Sequence, residues 1–424
     1  MNELLLPAGT FTRLKIADYY GADAVYCGLP AMSLRAGVGL TREELEQGIA
    51  LLHSKGKKIY LALNLFSKNQ DLEKLPAIAQ MLRELGPDGV IVSDPAIFMF
   101  LREHAPEIAL HVSTQANVSS YATVNFWKSL GAKLCVLSRE TTFGEIEEIR
   151  KRVPDIGLEM FIHGAMCMSY SGRCLLSAFM TGRSANQGRC AQSCRWEYNL
   201  YLEEQKRPGE LIKVEEDPRG TYFMNSRDLC LMPELPRILA TGINSLKIEG
   251  RNKSDYYVAQ TARIYRLAID AWLKNPTNWS AEPFMRELDT MQNRGYTRGF
   301  FDGVPGAEAQ NYETSVSWGT AVNVGMVVES GVPAQQLPAG TQESDWVRFD
   351  VRNKMSLGET IEFLLPNQLE PVKVVLTELY DGLNGKSVPA ISAGKANQTA
   401  LVPVRSLGGI VPAPLTMIRK KVEK

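Results

Sequence analysis

Four cysteines are concentrated in one short segment in the middle of the chain. They are Cys167, Cys174, Cys190 and Cys194, in the spacing C-x6-C-x15-C-x3-C. The residues from Phe161 to Trp196 also include four arginines and no acidic residue. Cationic neighbours lower the pKa of thiols and offset the charge of thiolates. The segment is therefore expected to hold anionic sulfur, and four thiols this close together point to one shared partner.

Metal ligation is the favoured interpretation of these thiols. The N-terminal residues MNELLLPAGT contain neither the basic region nor the apolar core of a signal peptide, which predicts a cytoplasmic protein, where disulfides are uncommon. Structural zinc sites use closely spaced cysteine pairs, and only Cys190 and Cys194 come near that spacing. Iron-sulfur clusters accept wider and less regular spacing. The pattern favours an iron-sulfur cluster over a zinc site or free thiols, with Cys230 as an alternative ligand.

Short apolar runs alternate with amphipathic helical patterns over residues 1–275. The predicted strands are residues 3–7, 23–28, 58–64, 89–94, 109–114, 133–138, 158–163 and 244–250. Each parallel connection needs a covering helix, so eight strand-helix repeats predict an α/β fold of the (β/α)8 TIM-like barrel type. An open doubly wound sheet is the alternative, because a strand count does not by itself establish closure.

All four cysteines lie in the loop that follows the seventh predicted strand. This loop is expanded to residues 164–242, and the loops after the strands form the catalytic face of TIM-like barrels. Polar side chains at or just after the ends of the strands are expected to line the same pocket. They are Asn64, Gln115, Arg139, His163, Glu249 and Arg251, with Arg35 in the loop after the second strand.

The sequence pattern changes after residue 275. A helical connector is predicted over residues 276–315, and its stretch 294–300 mixes arginines with aromatic residues, which suits RNA contacts or anchoring to the barrel. Short β-type runs separated by Gly, Pro and Asn then predict a small C-terminal β-barrel domain over residues 316–424. Its candidates for contact with phosphates are Arg348, Arg352, Lys354, Arg419, Lys420 and Lys421.

The overall composition narrows the classes of partner. Lys plus Arg and Asp plus Glu are equal at 47 each, so any nucleic-acid site must be a local patch. No apolar run of the sequence is long enough to cross a bilayer, which argues against a membrane partner. Cys27 and Cys135 lie in apolar strand-like runs and are expected to be ordinary buried side chains.

The cysteine segment resembles the signature of a known family. The stretches EMFIHGAMC, SGRCLLS and NQGRC, together with LLLPAG, GADAVYCG, SDPAIFM, MNSRDL and SLKIEGR elsewhere, are similar to the collagenase-like peptidases of unknown catalytic type. Within that family the chain looks most like the prephenate-dependent tRNA uridine hydroxylases. The resemblance implies a [4Fe-4S] cluster held by the four cysteines. It also implies tRNA as the substrate, with hydroxylation of the wobble uridine to 5-hydroxyuridine and prephenate as the co-substrate that supplies the hydroxyl group.

The implied co-substrate suggests a role for three arginines of the pocket. Prephenate is a dicarboxylate, and the planar guanidinium groups of Arg35, Arg139 and Arg251 can each hold a carboxylate by two hydrogen bonds. Ion pairs with Glu140 or Glu249 are the alternative use of these arginines.

His163 supports two different hypotheses. It lies four residues before Cys167, where it can donate a hydrogen bond to a cluster sulfur, transfer a proton to substrate, or serve only as a structural residue. Together with Cys167 it also resembles the nucleophile and base of a cysteine peptidase. That hypothesis is disfavoured, because it leaves three cysteines and four arginines unexplained and because the H-E-x-x-H and G-x-S-x-G motifs are absent from the sequence.

Other hypotheses keep the cluster but change its use. The same broad family is implied to include hydroxylases of ribosomal RNA and, as paired subunits, of a quinone precursor, so a paralogous partner subunit is also an open hypothesis. A radical S-adenosylmethionine enzyme is disfavoured, because the C-x3-C-x2-C triplet is absent. Redox sensing or electron transfer would also use a cluster. The C-terminal β-domain resembles that of the RNA-acting branch and favours tRNA.

Overall fold

The structure is a computed structural model of the chain of 424 residues. It describes residues 2–29, 39–167, 169–170, 173–185, 189–196, 198, 201–203, 205–206, 208–209, 211–213, 226–305, 309, 311, 317–328, 337–338, 340–394, 398–408 and 410–422. Contacts between residues divide the chain into two compact units. Unit 1 comprises Met1–Asp18, Ala22–Lys253 and Asn293–Ser317, and unit 2 comprises Tyr19–Gly21, Ser254–Gln292 and Trp318–Lys424.

Unit 1 is built around a closed barrel of eight parallel strands. The strands of unit 1 are β1 (Glu3–Pro7), β2 (Ala24–Gly28), β3 (Lys58–Leu63), β4 (Gly89–Val92), β5 (Leu110–Val112), β6 (Leu134–Val136), β7 (Gly157–Ala165), β8 (Tyr201–Glu203), β9 (Leu211–Lys213), β10 (Asp228–Cys230), β11 (Ser245–Ile248) and β12 (Tyr296–Thr297). Strands β1 to β7 pair in chain order, and β11 pairs in parallel with both β1 and β7. The TIM-like barrel prediction is therefore confirmed, and the open-sheet alternative is wrong.

The barrel strands form where the sequence is apolar on both faces. Every residue of AVYCG in β2 and of GVIV in β4 is buried. Parallel strands covered by helices on one side and by the barrel interior on the other give such continuous apolar runs. Within these runs Cys27 and Cys135 are fully buried, and burial raises the pKa of both thiols to about 12. Their assignment as ordinary buried side chains is confirmed.

Several helices start at a side-chain cap. The helices of the chain are α1 (Phe11–Tyr19), α2 (Arg42–His53), α3 (Asn69–Leu72), α4 (Leu75–Leu85), α5 (Pro95–His104), α6 (Tyr121–Ser129), α7 (Phe143–Arg152), α8 (Leu176–Thr181), α9 (Leu235–Ala240), α10 (Asp255–Lys274) and α11 (Glu282–Leu288). Thr142 and Glu145 form a reciprocal capping box at α7. The Asp94 side chain accepts from the N–H groups of Ala96 and Ile97 at the start of α5. Within the described part of the chain, none of these helices combines the length and apolarity that a bilayer span requires.

The insertion after β7 folds back onto the strand from which it departs. Strand β10 runs antiparallel to β7, with Cys230 opposite His163, and β12 pairs with β10. Strands β8 and β9 form a separate antiparallel pair. In the predicted RNA-contacting stretch 294–300, Arg294 is 4% exposed and its Nη2 lies 2.5 Å from a carboxylate oxygen of Asp228. This part of the stretch therefore serves to anchor chain segments of unit 1 to each other.

Unit 2 contains a seven-stranded antiparallel sheet of half-barrel form. The strands of unit 2, seven of which form this sheet, are β13 (Ala321–Val327), β14 (Trp346–Val351), β15 (Met355–Ser356), β16 (Thr360–Leu364), β17 (Val372–Val375), β18 (Tyr380–Asp381), β19 (Ala390–Ile391), β20 (Thr399–Pro403) and β21 (Met417–Lys421). The sheet order is β17-β16-β21-β13-β14-β20-β18, and β15 pairs with β19. Contacts also assign α10 and α11 to unit 2. The sequence pattern predicted that the barrel extends to residue 275, which would include α10.

A buried arginine ties the helices of unit 2 to its sheet. The Arg419 side chain is 1% exposed and donates to Glu362 at 2.7 Å, to Thr290 at 2.7 Å and to Glu287 at 2.9 Å. Burial opposes the charged form of Arg419, but Tyr256 and the carboxylates around it outweigh burial together and raise the pKa of Arg419. Arg419 was expected among the residues that contact phosphates, but it is enclosed and its donors are used within the protein.

Removing this charge should destabilise unit 2. Arg419→Met leaves the Glu362 carboxylate, which is 3% exposed, without its partner. The expected loss is about 3–5 kcal/mol in the free energy of unfolding, because an uncompensated buried charge is costly. Urea denaturation followed by circular dichroism measures it. Arg286→Met is the control, because its ion pair with Glu282 is exposed on both sides and should contribute less than about 1 kcal/mol. Equal stability of the two variants would contradict the structural role of Arg419.

A glycine near the end of β7 allows the backbone of this strand to lie close to the segment that follows β11. Gly164 has φ +120°, and a Cβ atom there would stand 2.7 Å from Cβ and 2.8 Å from the carbonyl oxygen of Glu249. Gly164→Ala should therefore lower the free energy of unfolding by about 1–3 kcal/mol. Gly144→Ala is the matched control, because a Cβ atom at this position in α7 meets nothing within 4 Å. A Gly164→Ala protein as stable as Gly144→Ala in urea denaturation would show that the strand ends move apart easily.

Candidate functional site

A cavity of about 310 Å³ lies at the carboxyl ends of the barrel strands. Its walls come from residues at or after the ends of β3, β5, β6, β7 and β11, and from the insertion that carries the cysteines. The carboxyl ends of parallel strands meet at one rim of a barrel, so residues far apart in sequence converge there. The cavity lies within unit 1.

Most of the residues expected to line a pocket do line this cavity. Those brought together are Asn64, Gln115, Arg139, Glu249 and Arg251, with Cys167, Cys174, Cys190 and Cys194. Neither His163 nor Cys230 is among the described residues that line it. Arg35 lies outside the described residues. The four thiols and the polar side chains at the strand ends therefore line the same cavity.

His163 lies behind the cavity wall. It is 2% exposed, its ring centroid is 5.6 Å from that of Tyr296, and its backbone faces Cys230, which is also 2% exposed, across the β7–β10 pair. Burial lowers the pKa of His163 to about 4, although the nearby Asp228 opposes that shift. The imidazole is therefore neutral at physiological pH, and a histidine in this state does not supply a proton as an imidazolium acid.

The four thiols that line the cavity differ in exposure. Cys167 is exposed, and the other three are half-buried. Burial raises the pKa of Cys194; Arg195 opposes this shift, and the thiols of Cys167, Cys190 and Cys174 add to it. The expectation that the arginines lower thiol pKa values is therefore wrong at Cys194, because desolvation outweighs one neighbouring cation. The influence of the other three thiols on Cys194 is consistent with their place around the same cavity.

The cysteines of the cavity suit an iron-sulfur cluster better than a single metal ion. Among the described residues, no group of three His, Cys, Asp or Glu side chains is arranged to hold a single metal ion. A four-iron cluster has different requirements, because its irons occupy separate corners and each takes one cysteine sulfur. Four cysteine thiols around one cavity fit such a group in number and in chemical type.

A buried ion pair beside the cavity was not predicted from sequence. Lys247 lines the cavity, and its Nζ lies 2.6 Å from a carboxylate oxygen of Glu159, with side chains 4% and 1% exposed. The ammonium group also lies 4.4 Å from the ring centroid of Tyr26. Burial lowers the pKa of Lys247, and Glu159 opposes this shift. The sequence does contain a signal for this pair: each of the two strands has one charged residue in an otherwise apolar run. A charged residue in such a run is expected to face the barrel interior and to need a partner there.

Cations and aromatic rings face the same space. The Arg139 guanidinium group lies 3.8 Å from the ring centroid of Phe161, and Arg251 lies 6.0 Å from that of Tyr26. No ion pair between described residues involves Arg139, so the predicted alternative of a pair with Glu140 is not formed. Among the described lining residues, the cationic ones are Arg139, Arg195, Lys247, Arg251 and Lys253, and the one carboxylate is that of Glu249. Such a lining suits a small anion with a planar or apolar body.

Comparisons with known proteins assign the chain to a family. The profile of Peptidase family U32 matches residues 9–311. The tRNA hydroxylation protein P of Escherichia coli is 39% identical over 406 residues, or 86% of each chain. The tRNA hydroxylation protein P1 of Bacillus subtilis is 39% identical over 381 residues, or 89% of this chain and 87% of that one. The 23S rRNA 5-hydroxycytidine C2501 synthase of Escherichia coli is 34% identical over 269 residues, or 63% of this chain and 39% of that one. The expected family is confirmed, and the chain belongs to Peptidase family U32.

Proposed function

We propose that the protein is an RNA-modifying enzyme that hydroxylates tRNA, converting the wobble uridine to 5-hydroxyuridine with prephenate as the source of the hydroxyl group. The observation that carries this proposal is the single cavity that joins four thiols to a cationic, aromatic lining. The names of the relatives that match most of this chain support tRNA hydroxylation. A cytoplasmic location and a paralogous partner subunit remain predictions.

The ribosomal, quinone and peptidase alternatives fit less well. The ribosomal relative matches 63% of the chain, whereas the tRNA-acting relative from Escherichia coli matches 86%. A quinone-acting subunit is expected to lack the β-domain that unit 2 provides. For a peptidase, Cys167 would need an accessible histidine base, but His163 is buried and lies outside the lining of the cavity that Cys167 borders.

The four cavity cysteines are the proposed ligands of a [4Fe-4S] cluster. When bound, the cluster supplies iron that polarises a substrate oxygen, or a rigid wall that shapes the cavity. The buried Cys230 lies opposite His163 in the β7–β10 pair and is not among the described residues of the lining. This placement favours the set of four without Cys230.

The chain's own cations suit the two carboxylates of prephenate. Arg139 lies against Phe161, and its guanidinium group takes part in no ion pair between described residues, so it can grip one carboxylate by two hydrogen bonds. Lys247 is held in place by Glu159 and turns toward the rings of Tyr26 and Phe161. The apolar ring of prephenate would then lie between these aromatic side chains.

Amide side chains suit the base of the substrate nucleotide. Enzymes that modify a base extrude it from its stack into a pocket and bind its pairing edge. The Oε1 atom of Gln115 is buried and accepts no hydrogen bond from any described residue. Gln115 can therefore accept from the N3–H group of uracil while its amide donates to a carbonyl oxygen. Asn64 and Glu249 line the same cavity and complete the polar contacts in this proposal.

Replacing a ligand cysteine should remove both the chromophore and the product. Cys167→Ala, Cys174→Ala, Cys190→Ala and Cys194→Ala are each expected to lower bound iron and sulfide and to abolish 5-hydroxyuridine in tRNA. Anaerobic purification, iron and sulfide analysis, the visible spectrum and mass spectrometry of tRNA nucleosides measure these quantities. Cys135→Ala is the control, because its thiol is buried in β6. A colourless, iron-free parent protein would refute the cluster.

Arg139→Gln should raise the KM for prephenate without preventing tRNA binding. Loss of a charge-assisted hydrogen bond, worth about 1.5–3 kcal/mol, corresponds to a rise of about 10- to 150-fold in KM for prephenate. Arg152→Gln is a matched control, because Arg152 also lies over an aromatic ring, that of Tyr121 at 4.1 Å, but on the outer helix α7. An unchanged KM for prephenate in Arg139→Gln would contradict the proposed carboxylate contact.

A further inference from the structure

Large apolar side chains are exposed around the short helix α8. Five of the fifteen large hydrophobic side chains that are exposed among the described residues lie within residues 170–196. We call them the α8 surface: Tyr170, Leu175, Phe179, Met180 and Trp196. Phe179 is 86% exposed and Leu175 is 75% exposed. A concentration of exposed apolar groups on one small segment marks a site of interaction.

The segment that carries the α8 surface also borders the cavity. Ser177 is 2% exposed; its hydroxyl donates to the carbonyl oxygen of Arg183 at 2.7 Å and accepts from the N–H group of Ala191 at 2.9 Å. These bonds tie α8 to the chain on both sides of Cys190. Ser177 lines the cavity and is buried, while Phe179, two residues later and therefore on the opposite side of the helix, is exposed. The same short helix therefore has one face in the cavity and one face outside.

The segment that carries this surface is positively charged. Arg173, Arg183 and Arg189 are exposed, and no ion pair between described residues involves any of the three. The sequence from Phe161 to Trp196 contains no acidic residue. Exposed aromatic rings among unpaired arginines suit a polyanion that also offers flat apolar faces, which is the chemistry of unpaired nucleotides.

The geometry points to the α8 surface as the docking site for the unpaired loop nucleotides that flank the base entering the cavity. Phe179 and Trp196 stack on neighbouring bases, and Arg183 and Arg189 contact their phosphates. This inference rests on the proposed function, and it names the surface that binds the single-stranded part of the RNA. A helix of six residues is short for an amphipathic membrane anchor, which makes an anionic bilayer the weaker partner.

Phe179→Ala tests the stacking contact in the full-length, cluster-loaded protein. The probe is a fluorescent hairpin RNA with an anticodon loop, and its Kd is measured by anisotropy. The expected result is a rise in Kd of at least about 5-fold, because loss of stacking on one base has that effect or more. Phe179→Trp should retain the affinity of the parent protein. Phe126→Ala is the matched control, because Phe126 is also exposed, at 54%, but lies on the outer helix α6.

A second measurement tests the phosphate contacts. Arg183→Gln should reduce the slope of log Kd against log salt concentration by about 0.7–1, the amount expected for one lost phosphate contact. Arg83→Gln is the matched control, because Arg83 is an exposed arginine of the outer helix α4 and pairs with Glu107. An equal slope for the parent protein and Arg183→Gln would overturn the phosphate contact.

The outcomes separate this inference from the proposed function. If the parent protein hydroxylates tRNA and Phe179→Ala binds the hairpin as tightly as the parent, the docking inference alone is overturned. If the parent neither binds nor modifies tRNA, the proposed function and the inference both fail. Loss of binding to vesicles of anionic phospholipid in Phe179→Ala, with an unchanged Kd for RNA, would assign the surface to a membrane and overturn RNA docking.

Discussion

The hydrogen bonding of β11 to both β1 and β7 is the constraint on which the rest of the structure depends. Glu3 pairs in register with Ser245, and Leu246 pairs with Met160, so the last strand closes the sheet from both sides. Closure brings the carboxyl ends of all eight strands to one rim. The segment after β11, with Glu249 and Arg251, thereby faces the ends of β3, β5 and β6 around one cavity.

Closure also explains how the barrel tolerates charge in its interior. Glu159 and Lys247 come from adjacent strands, and the Lys247 ammonium group donates to one carboxylate oxygen of Glu159 where both side chains are almost fully buried. A buried pair of this kind gains little net stability, because desolvation of both ions offsets their attraction. Its position beside the cavity gives it another use: it holds a cation at a fixed place against Tyr26 and Phe161. A preorganised cation binds an anionic substrate without a large loss of side-chain freedom.

The insertion after β7 combines two surfaces in about thirty residues. Cysteines and small polar residues of the segment border the cavity, while Phe179 and Trp196 in the same segment are exposed. The six-residue helix α8, which ends at Gly182 with a positive φ, lies between the two kinds of residue along the chain. The lining of the cavity and an exposed apolar surface thus come from one stretch of chain, and a change in that stretch is expected to affect both.

Local sequence patterns determined the strands, the helix starts and the cysteine segment. The predicted strand 58–64 corresponds to Lys58–Leu63, because apolar periodicity and parallel-strand burial are properties of neighbouring residues. Only the tertiary structure decided that Lys247 meets Glu159, that His163 lies behind the wall opposite Cys230, and that Arg419 is enclosed by carboxylates. These outcomes depend on pairing between segments that are distant along the chain. The free energy of such pairing comes from closure, burial and charge compensation, which no local window of sequence contains.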